Sequence, residues 1–193
     1  MLMMKYEESD SDHLMELTIE QVLQRGVAAH KEGKLQEAER FYRAILKSQP
    51  SHPDANHNLG ILALSVNKAE EALPLFKAAL DTNPYKEQFW LSYIDALMKK
   101  NQIQDAEVAS RKALNLKQDF IKVSLYLSGI LLKLGRLEEA EVSLRQTISL
   151  KPDYAEAHNN LGNTLKELGR LEEAMSSYTK ATELNPHLSG SRK

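Results

Sequence analysis

The side chains best suited to acid–base or ligand chemistry are six histidines: His13, His30, His52, His57, His158 and His187. Only His52 and His57 lie close in sequence, five residues apart across an expected helix start, and no carboxylate is spaced to join them. A tight metal site needs three or four converging ligands, so this pair predicts none. Paired glutamates recur in the LEEA segments Leu137–Ala140 and Leu171–Ala174. They fall where helices begin, and negative charge there complements the positive end of the helix dipole. They are read as helix-start and solvent features, with no acid–base role. Cysteine is absent, which removes disulfides and thiolate metal sites together. Glycine-rich phosphate loops, HExxH and GxSxG elements are absent as well. The expectation is a protein that is not an enzyme and carries no cofactor. What remains is the hydrogen-bonding and aromatic chemistry of binding.

The elements that position these side chains follow from a period. Ala38, Ala72, Ala106, Ala140 and Ala174 stand 34 residues apart without a slip. Twelve residues before each comes Gly26, Gly60, Ile94, Ser128 or Gly162; four after comes Tyr42, Phe76, Ser110, Leu144 or Tyr178. Strict self-similarity of this length marks a solenoid, in which each repeat packs only on its neighbours. The predicted repeats run 19–52, 53–86, 87–120, 121–154 and 155–188, and the array is counted as one domain. An acidic segment over 1–18 precedes them, expected to be partly disordered or to extend the first helix with Leu14 and Leu17 giving cover. A tail over 189–193 follows.

Within each repeat the apolar spacing is helical. Asn56, Leu59, Gly60 and Ala63 fall on one stripe, and Ala69, Ala72, Phe76 and Ala79 on a second. Gly33, Asn67, Asn101, Gly135 and Gly169 separate the two stripes, and these residue types tolerate the left-handed backbone that ends a helix. Pro50, Pro84, Pro152 and Pro186 stop the second helix in four repeats. Ser51 and Asp153 are expected N-caps, each with an acid three residues on. Small residues at the glycine and alanine positions let the two helices approach closely, while the bulky Leu59, Leu127 and Leu161 and the aromatics fill the space beside the crossing. Trp90 is read as packing.

These residues resemble the tetratricopeptide repeat (TPR) pattern. The fifth repeat matches it through Leu161, Gly162, Gly169, Ala174, Tyr178, Ala181 and Pro186, and the second through Leu59, Gly60, Ala72, Phe76, Ala79 and Pro84. The segment from Tyr154 to Pro186 is similar in style to the arrays preceding the catalytic regions of O-linked N-acetylglucosamine transferases. Comparable arrays precede bacterial sulfotransferases and methyltransferases. The resemblance implies an all-α fold, a right-handed TPR α-solenoid of five helix–turn–helix repeats.

It also implies a concave groove lined by first helices that takes a peptide or partner helix. Carried onto this sequence, the groove positions are Leu23, Gln24 and Val27; His57, Asn58 and Ile61; Leu91, Ser92 and Asp95; Leu125, Tyr126 and Gly129; and Asn159, Asn160 and Asn163. An asparagine offers both donor and acceptor to a peptide backbone, and a tyrosine offers amphipathic contact area. The asparagine ladder of the transferase arrays is kept at Asn58 and Asn160, is replaced by Gln24 in the first repeat, and is broken by Ser92 and Tyr126. The clamp that grips acidic chaperone tails needs cations at set positions. Neither Leu23, Val27, Asn58, Gln88 and Ser92 nor the frame His57, Ile61, Ser92, Lys122 and Tyr126 supplies that set.

The third repeat departs from the pattern at Ile94, Ser110, Gln118 and Tyr93. Drift compensated by local repacking is the reading adopted. The other is a longer second helix, freed by the missing proline, that makes the repeat a hinge. Too few residues follow Pro186 to form a closing helix, so the chain is expected either to be a piece of a longer protein or to self-associate through its C-terminal edge. Net charge is −2, and the apolar runs are far shorter than the ~20 residues of a membrane span. No nucleic acid or membrane partner is expected, and the default is a soluble, cytoplasmic protein. The function expected is a protein–protein interaction scaffold. The alternative is a non-catalytic substrate-docking region of a larger glycosyltransferase or sulfotransferase.

Overall fold

A computed structural model describes residues 17–187. The acidic segment through Glu16, with Leu14, and the tail over 189–193 lie outside the described residues. Within them the chain forms ten helices in five pairs. These are α1 (Ile19–Lys31) and α2 (Leu35–Ser48), α3 (Pro53–Ser65) and α4 (Ala69–Thr82), α5 (Glu87–Lys99) and α6 (Ile103–Leu116), α7 (Ile121–Lys133) and α8 (Leu137–Leu150), and α9 (Ala155–Glu167) and α10 (Leu171–Leu184). The architecture is the expected all-α solenoid of helix–turn–helix repeats. It divides into two compact units, one through Asn83 and one from Pro84, so the array comprises a two-repeat and a three-repeat body.

The five turns share one geometry. Gly33, Asn67, Asn101, Gly135 and Gly169 all have φ between 58° and 77°. The residue after each donates its backbone N–H to a carbonyl five positions back, at 2.9 Å in every repeat, as in Lys68 to Ala63. That bond satisfies a carbonyl the first helix leaves open, and it holds the second helix at a fixed angle.

Caps differ from expectation. His52 caps α3 through Nδ1, which accepts from the Ala55 N–H at 3.2 Å, and Tyr154 stands at the N-cap of α9 without a side-chain bond. Ser51 and Asp153 lie one residue too early to reach the open amides. Thr18 and Gln21 form a reciprocal capping box on α1, an arrangement visible as Thr-x-x-Gln in the sequence. Leu17, just before it, packs beside Val22, Ile45 and Ala55.

The glycine of the first helix has a more specific task than close helix approach. A Cβ on Gly60 would lie 2.6 Å from Phe76 Cε1, one on Gly26 2.7 Å from Tyr42 Cε1, and one on Gly162 2.6 Å from Tyr178 Cε1. Glycine is there because an aromatic ring of the second helix occupies the space a Cβ would need. In the third repeat the sizes are exchanged: Ile94 is the large partner and Ser110 the small one, both fully buried. Ser110 Oγ donates to the Ala106 carbonyl at 2.8 Å. Its second helix, α6, has 14 residues, as the other second helices do, so the missing proline does not lengthen it.

Ion-pair rings tie second helices together inside the three-repeat unit. Arg136 Nη1 reaches Glu107 at 2.7 Å and its other edge reaches Glu139, while Arg111 bridges the same two carboxylates. One period on, Arg170 and Arg145 enclose Glu141 and Glu173 in the same way. The second glutamate of each LEEA segment therefore closes a ring, a role the helix-start reading did not assign.

Candidate functional site: the inner face of the first helices

Within each unit, consecutive first helices pack on one another, α1 on α3 and α5 on α7 on α9, and each second helix packs on the next first helix. Second helices stand further apart. Between α6 and α8 lies an open groove of about 660 Å³ floored by Ser124 and Leu127, and between α8 and α10 one of about 450 Å³ over Leu161. Close first helices and splayed second helices curve each unit, with the first helices on the inside.

In the two-repeat unit this inner face carries Gln24, Val27, Asn58 and Ile61. Gln24 is exposed and its amide donates to Glu20 at 3.2 Å. Val27 is half-buried against the cluster of Ala29, Tyr42 and Leu59, and Leu23 packs there too. Asn58 and Ile61 are half-buried, whereas His57 is buried, its ring tilted against Phe76 at 5.7 Å between centroids. His57 thus serves the core beside its aromatic neighbour and offers little to a ligand.

In the three-repeat unit, Leu91 and Ser92 are buried at 8% and 5% exposure. Both belong to packing, because α5 sits with α6 on one side and α7 on the other. Asp95 is half-buried and pairs with Lys99 at 2.9 Å. Leu125 packs against Leu144, Ala157 and Leu161. The accessible part is Tyr126, 42% exposed, with half-buried Asn159 and Asn160 on the next helix. Asn163 Oδ1 accepts from the Tyr178 hydroxyl at 2.8 Å, so its amide is oriented by the fold.

Two further residues join this face that the sequence did not single out. Burial pushes the Tyr154 phenol up to about 12, and the nearby Glu156, Glu87 and Tyr126 add to the effect. Lys151 Nζ lies 4.8 Å from the centre of the Tyr154 ring. Glu87 Oε1 accepts from the backbone N–H groups of Lys122 and Val123, at 2.8 and 3.3 Å. It caps α7 from one repeat away, where Phe120 at the N-cap gives no side-chain bond. No local motif could reveal a cap whose partner lies 35 residues downstream.

In three repeats the position that begins the packing stripe also has a polar task. Asn56 Nδ2, Trp90 Nε1 and His158 Nε2 each bond the carbonyl of the proline six residues back, at 2.9, 2.7 and 2.9 Å. Trp90 is buried, as its packing role requires, and its indole N–H anchors the incoming chain. In the fourth repeat the proline is Gln118 and the donor is Ser124, too short to reach back. Ser124 instead joins Ser143 and Thr147 in a buried hydroxyl cluster on α8, with Thr147 Oγ1 to Ser124 Oγ at 2.8 Å. Among the described residues no group of three or more acidic or histidine side chains could hold a metal ion, and no helix is long and apolar enough to cross a membrane.

Tetratricopeptide repeat family models match residues 22–52, 63–124 and 155–188, and a further TPR repeat model matches 130–169. No curated protein matches the chain. Among solved structures, MamA superposes with a TM-score of 0.75 at 21% identity, covering 86% of this chain and 96% of that one. YrrB, described as a TPR protein with an unusual peptide-binding site, gives 0.69 at 21% identity, covering 86% and 85%. TTC0263, a thermophilic TPR protein of Thermus thermophilus, gives 0.64 at 23% identity, covering 88% and 92%.

Proposed function

The chain belongs to the tetratricopeptide repeat family, and on that premise we propose that it is a protein-interaction scaffold whose inner face binds an extended peptide or a partner helix. The observation that carries this reading is Tyr126, a large aromatic left 42% exposed on the inner face of the three-repeat unit, where the next first helix carries the half-buried Asn159 and Asn160. Rigid amphipathic aromatics dominate binding energy at protein interfaces, and asparagine pairs with a peptide backbone whatever its sequence. Asn58 supplies the same amide chemistry on the two-repeat unit. On each unit the binding surface is narrower than the full set of groove positions: Gln24, Asn58 and Ile61 contact a ligand on the two-repeat unit, with His57 behind them in the core, and Tyr126, Asn159 and Asn160 contact one on the three-repeat unit, with Leu91 and Ser92 given over to packing. A peptide-array screen with Asn58→Ala, Tyr126→Ala and Asn160→Ala tests it. Binding should weaken most for Tyr126→Ala, by ten-fold or more for a loss of about 1.4 kcal/mol. Ligands that bind all three variants as well as the parent chain would show that the inner face is not the site.

A second reading makes the same face the substrate-docking region of a larger glycosyl- or sulfotransferase. It is favoured by the fifth repeat, which is similar in style to the arrays of such enzymes. Reading the coding frame beyond Lys193 separates the two, because only this reading requires a catalytic domain.

A further inference from the structure

The outer face of α10 carries a stripe at Leu171, Met175, Tyr178 and Thr182. The period identifies what this surface does elsewhere in the chain. In α2 the same stripe is Leu35, Glu39, Tyr42 and Leu46, and α3 covers it. In α8 it is Leu137, Glu141, Leu144 and Ile148, and α9 covers it. Tyr42 and Leu144 are fully buried by that cover. On α10, Leu171 and Met175 are 61% and 69% exposed and Tyr178 is only half-buried.

The residue types say which kind of cover fits. Where second helices accept another repeat in the three-repeat unit, they present Glu107 with Arg111 and Glu141 with Arg145 to the next ion-pair ring. At these positions α10 has Met175 and Thr179. The ring that fastens a following repeat is therefore absent from α10, and an apolar side chain stands in its place. Nor does the other end of the array match. The residues of α3 and α9 that cover a second helix are Ala55, Leu59 and Leu62, and Ala157, Leu161 and Thr164, all buried. Their counterparts on α1 are Gln21, Arg25 and Ala28, all exposed. A polar face with an arginine at its centre is a poor partner for methionine and leucine, so head-to-tail stacking of copies is disfavoured.

We propose that α10 is a dimerisation surface, on which the same stripe of a second copy packs across a twofold axis. Burying Leu171 and Met175 against their own counterparts removes apolar surface from water on both chains, and an isologous contact closes the assembly at two. The inner faces stay open in this dimer, which doubles their number and would raise affinity for a ligand with two binding segments. The inference stands independently of what the inner face binds.

The natural absence of cysteine makes the test direct. The 193-residue chain is expected to show a concentration-dependent monomer–dimer equilibrium by analytical ultracentrifugation. Met175→Glu, which restores the glutamate used at the ring positions, should shift that equilibrium to monomer with an unchanged circular dichroism spectrum. Met175→Cys should oxidise to a disulfide-linked dimer, whereas Arg25→Cys should not. A chain that stays monomeric up to millimolar concentration overturns the proposal. So does a dimer that survives Met175→Glu, or efficient heterodisulfide formation between the Arg25→Cys and Met175→Cys variants.

Discussion

The first and fifth repeats place a tyrosine over a glycine in almost the same contact, yet the two hydroxyls meet different fates. Tyr42 Cε1 lies where a Cβ on Gly26 would be, and Tyr178 Cε1 lies where one on Gly162 would be, within 0.1 Å of the same separation (2.7 against 2.6 Å). Tyr178 donates to Asn163 at 2.8 Å. The residue equivalent to Asn163 in the first repeat is Val27, and the fully buried Tyr42 hydroxyl has no hydrogen-bond partner. Burial alone pushes the Tyr42 phenol up to about 12. Ring placement is thus set by the glycine, while the value of the hydroxyl is set by the residue that follows that glycine on the first helix. The third repeat takes the same comparison further, with the ring itself removed and its volume moved to the opposite helix as Ile94.

The largest test breaks that volume exchange. Ile94→Gly empties a fully buried site and puts glycine inside a helix, at an expected cost of about 3–5 kcal/mol. Ser110→Phe alone drives a ring into Ile94 and should cost about 1–3 kcal/mol or more. The double variant Ile94→Gly/Ser110→Phe rebuilds the Gly60–Phe76 arrangement and should recover most of both losses, as measured by denaturant unfolding in a double-mutant cycle. Additive losses would mean that the two positions do not share one space, and that the third repeat is repacked by other residues.

This exchange also marks how far the sequence could be read. The alanine register, the left-handed turn residues and the helical stripes were all legible, because each reflects a local rule repeated five times. The substitution of Ile94 and Ser110 was visible as two anomalies, but their compensation needed the glycine–ring contact to be known. Glu87 capping α7 and Arg136 bridging Glu107 and Glu139 were not legible, since their partners lie about one period away and belong to no local motif. The groove positions were legible as places on a helix. Which of them stay accessible was not: His57 and Ser92 share helix positions with Asn159 and Asn160, and only the packing of neighbours buries the first two.

The next test sharpens the tyrosine comparison through opposite signs. Tyr42→Phe removes a buried hydroxyl without a partner and should stabilise the protein by about 1 kcal/mol. Tyr178→Phe removes a hydrogen bond and should destabilise it by about 1 kcal/mol. Thermal unfolding monitored by hydrogen exchange assigns each change to its own repeat. On an Asn163→Val background the fifth repeat should behave as the first does, with Tyr178→Phe no longer costly. Equal effects at the two tyrosines would show that the residues at 27 and 163 do not govern them.

The smallest expected effect concerns the ion-pair rings. The first two repeats hold a version of the ring composition, in which Arg43 pairs with Glu39 and Lys68 with Glu71, each within one helix. Lys68 stands where the three-repeat unit has Arg136 and Arg170, whose planar guanidinium reaches two carboxylates on different helices at once. Lys68→Arg should let position 68 span to Glu39 as Arg170 spans to Glu141, raising Tm by about 1–2 °C at low salt. The pH dependence has a definite sign. Hydrogen bonding from Arg111 is the main influence on Glu107, and with Arg136 it holds that carboxyl below its ordinary 4.5 despite burial. At Glu141 burial pushes upward, but Arg145 and Arg170 together outweigh it and the carboxyl is again lowered. A carboxylate lowered in the folded state contributes stability that is fully present above 4.5 and is lost as pH falls through its folded value. The gain from Lys68→Arg should therefore persist at about pH 7, fade below about pH 4.5, and vanish in about 1 M salt, where screening acts within about 3 Å. A gain that survives both acid and salt would come from packing of the longer arginine stem, and would separate the rings of the two units by chemistry as well as by composition.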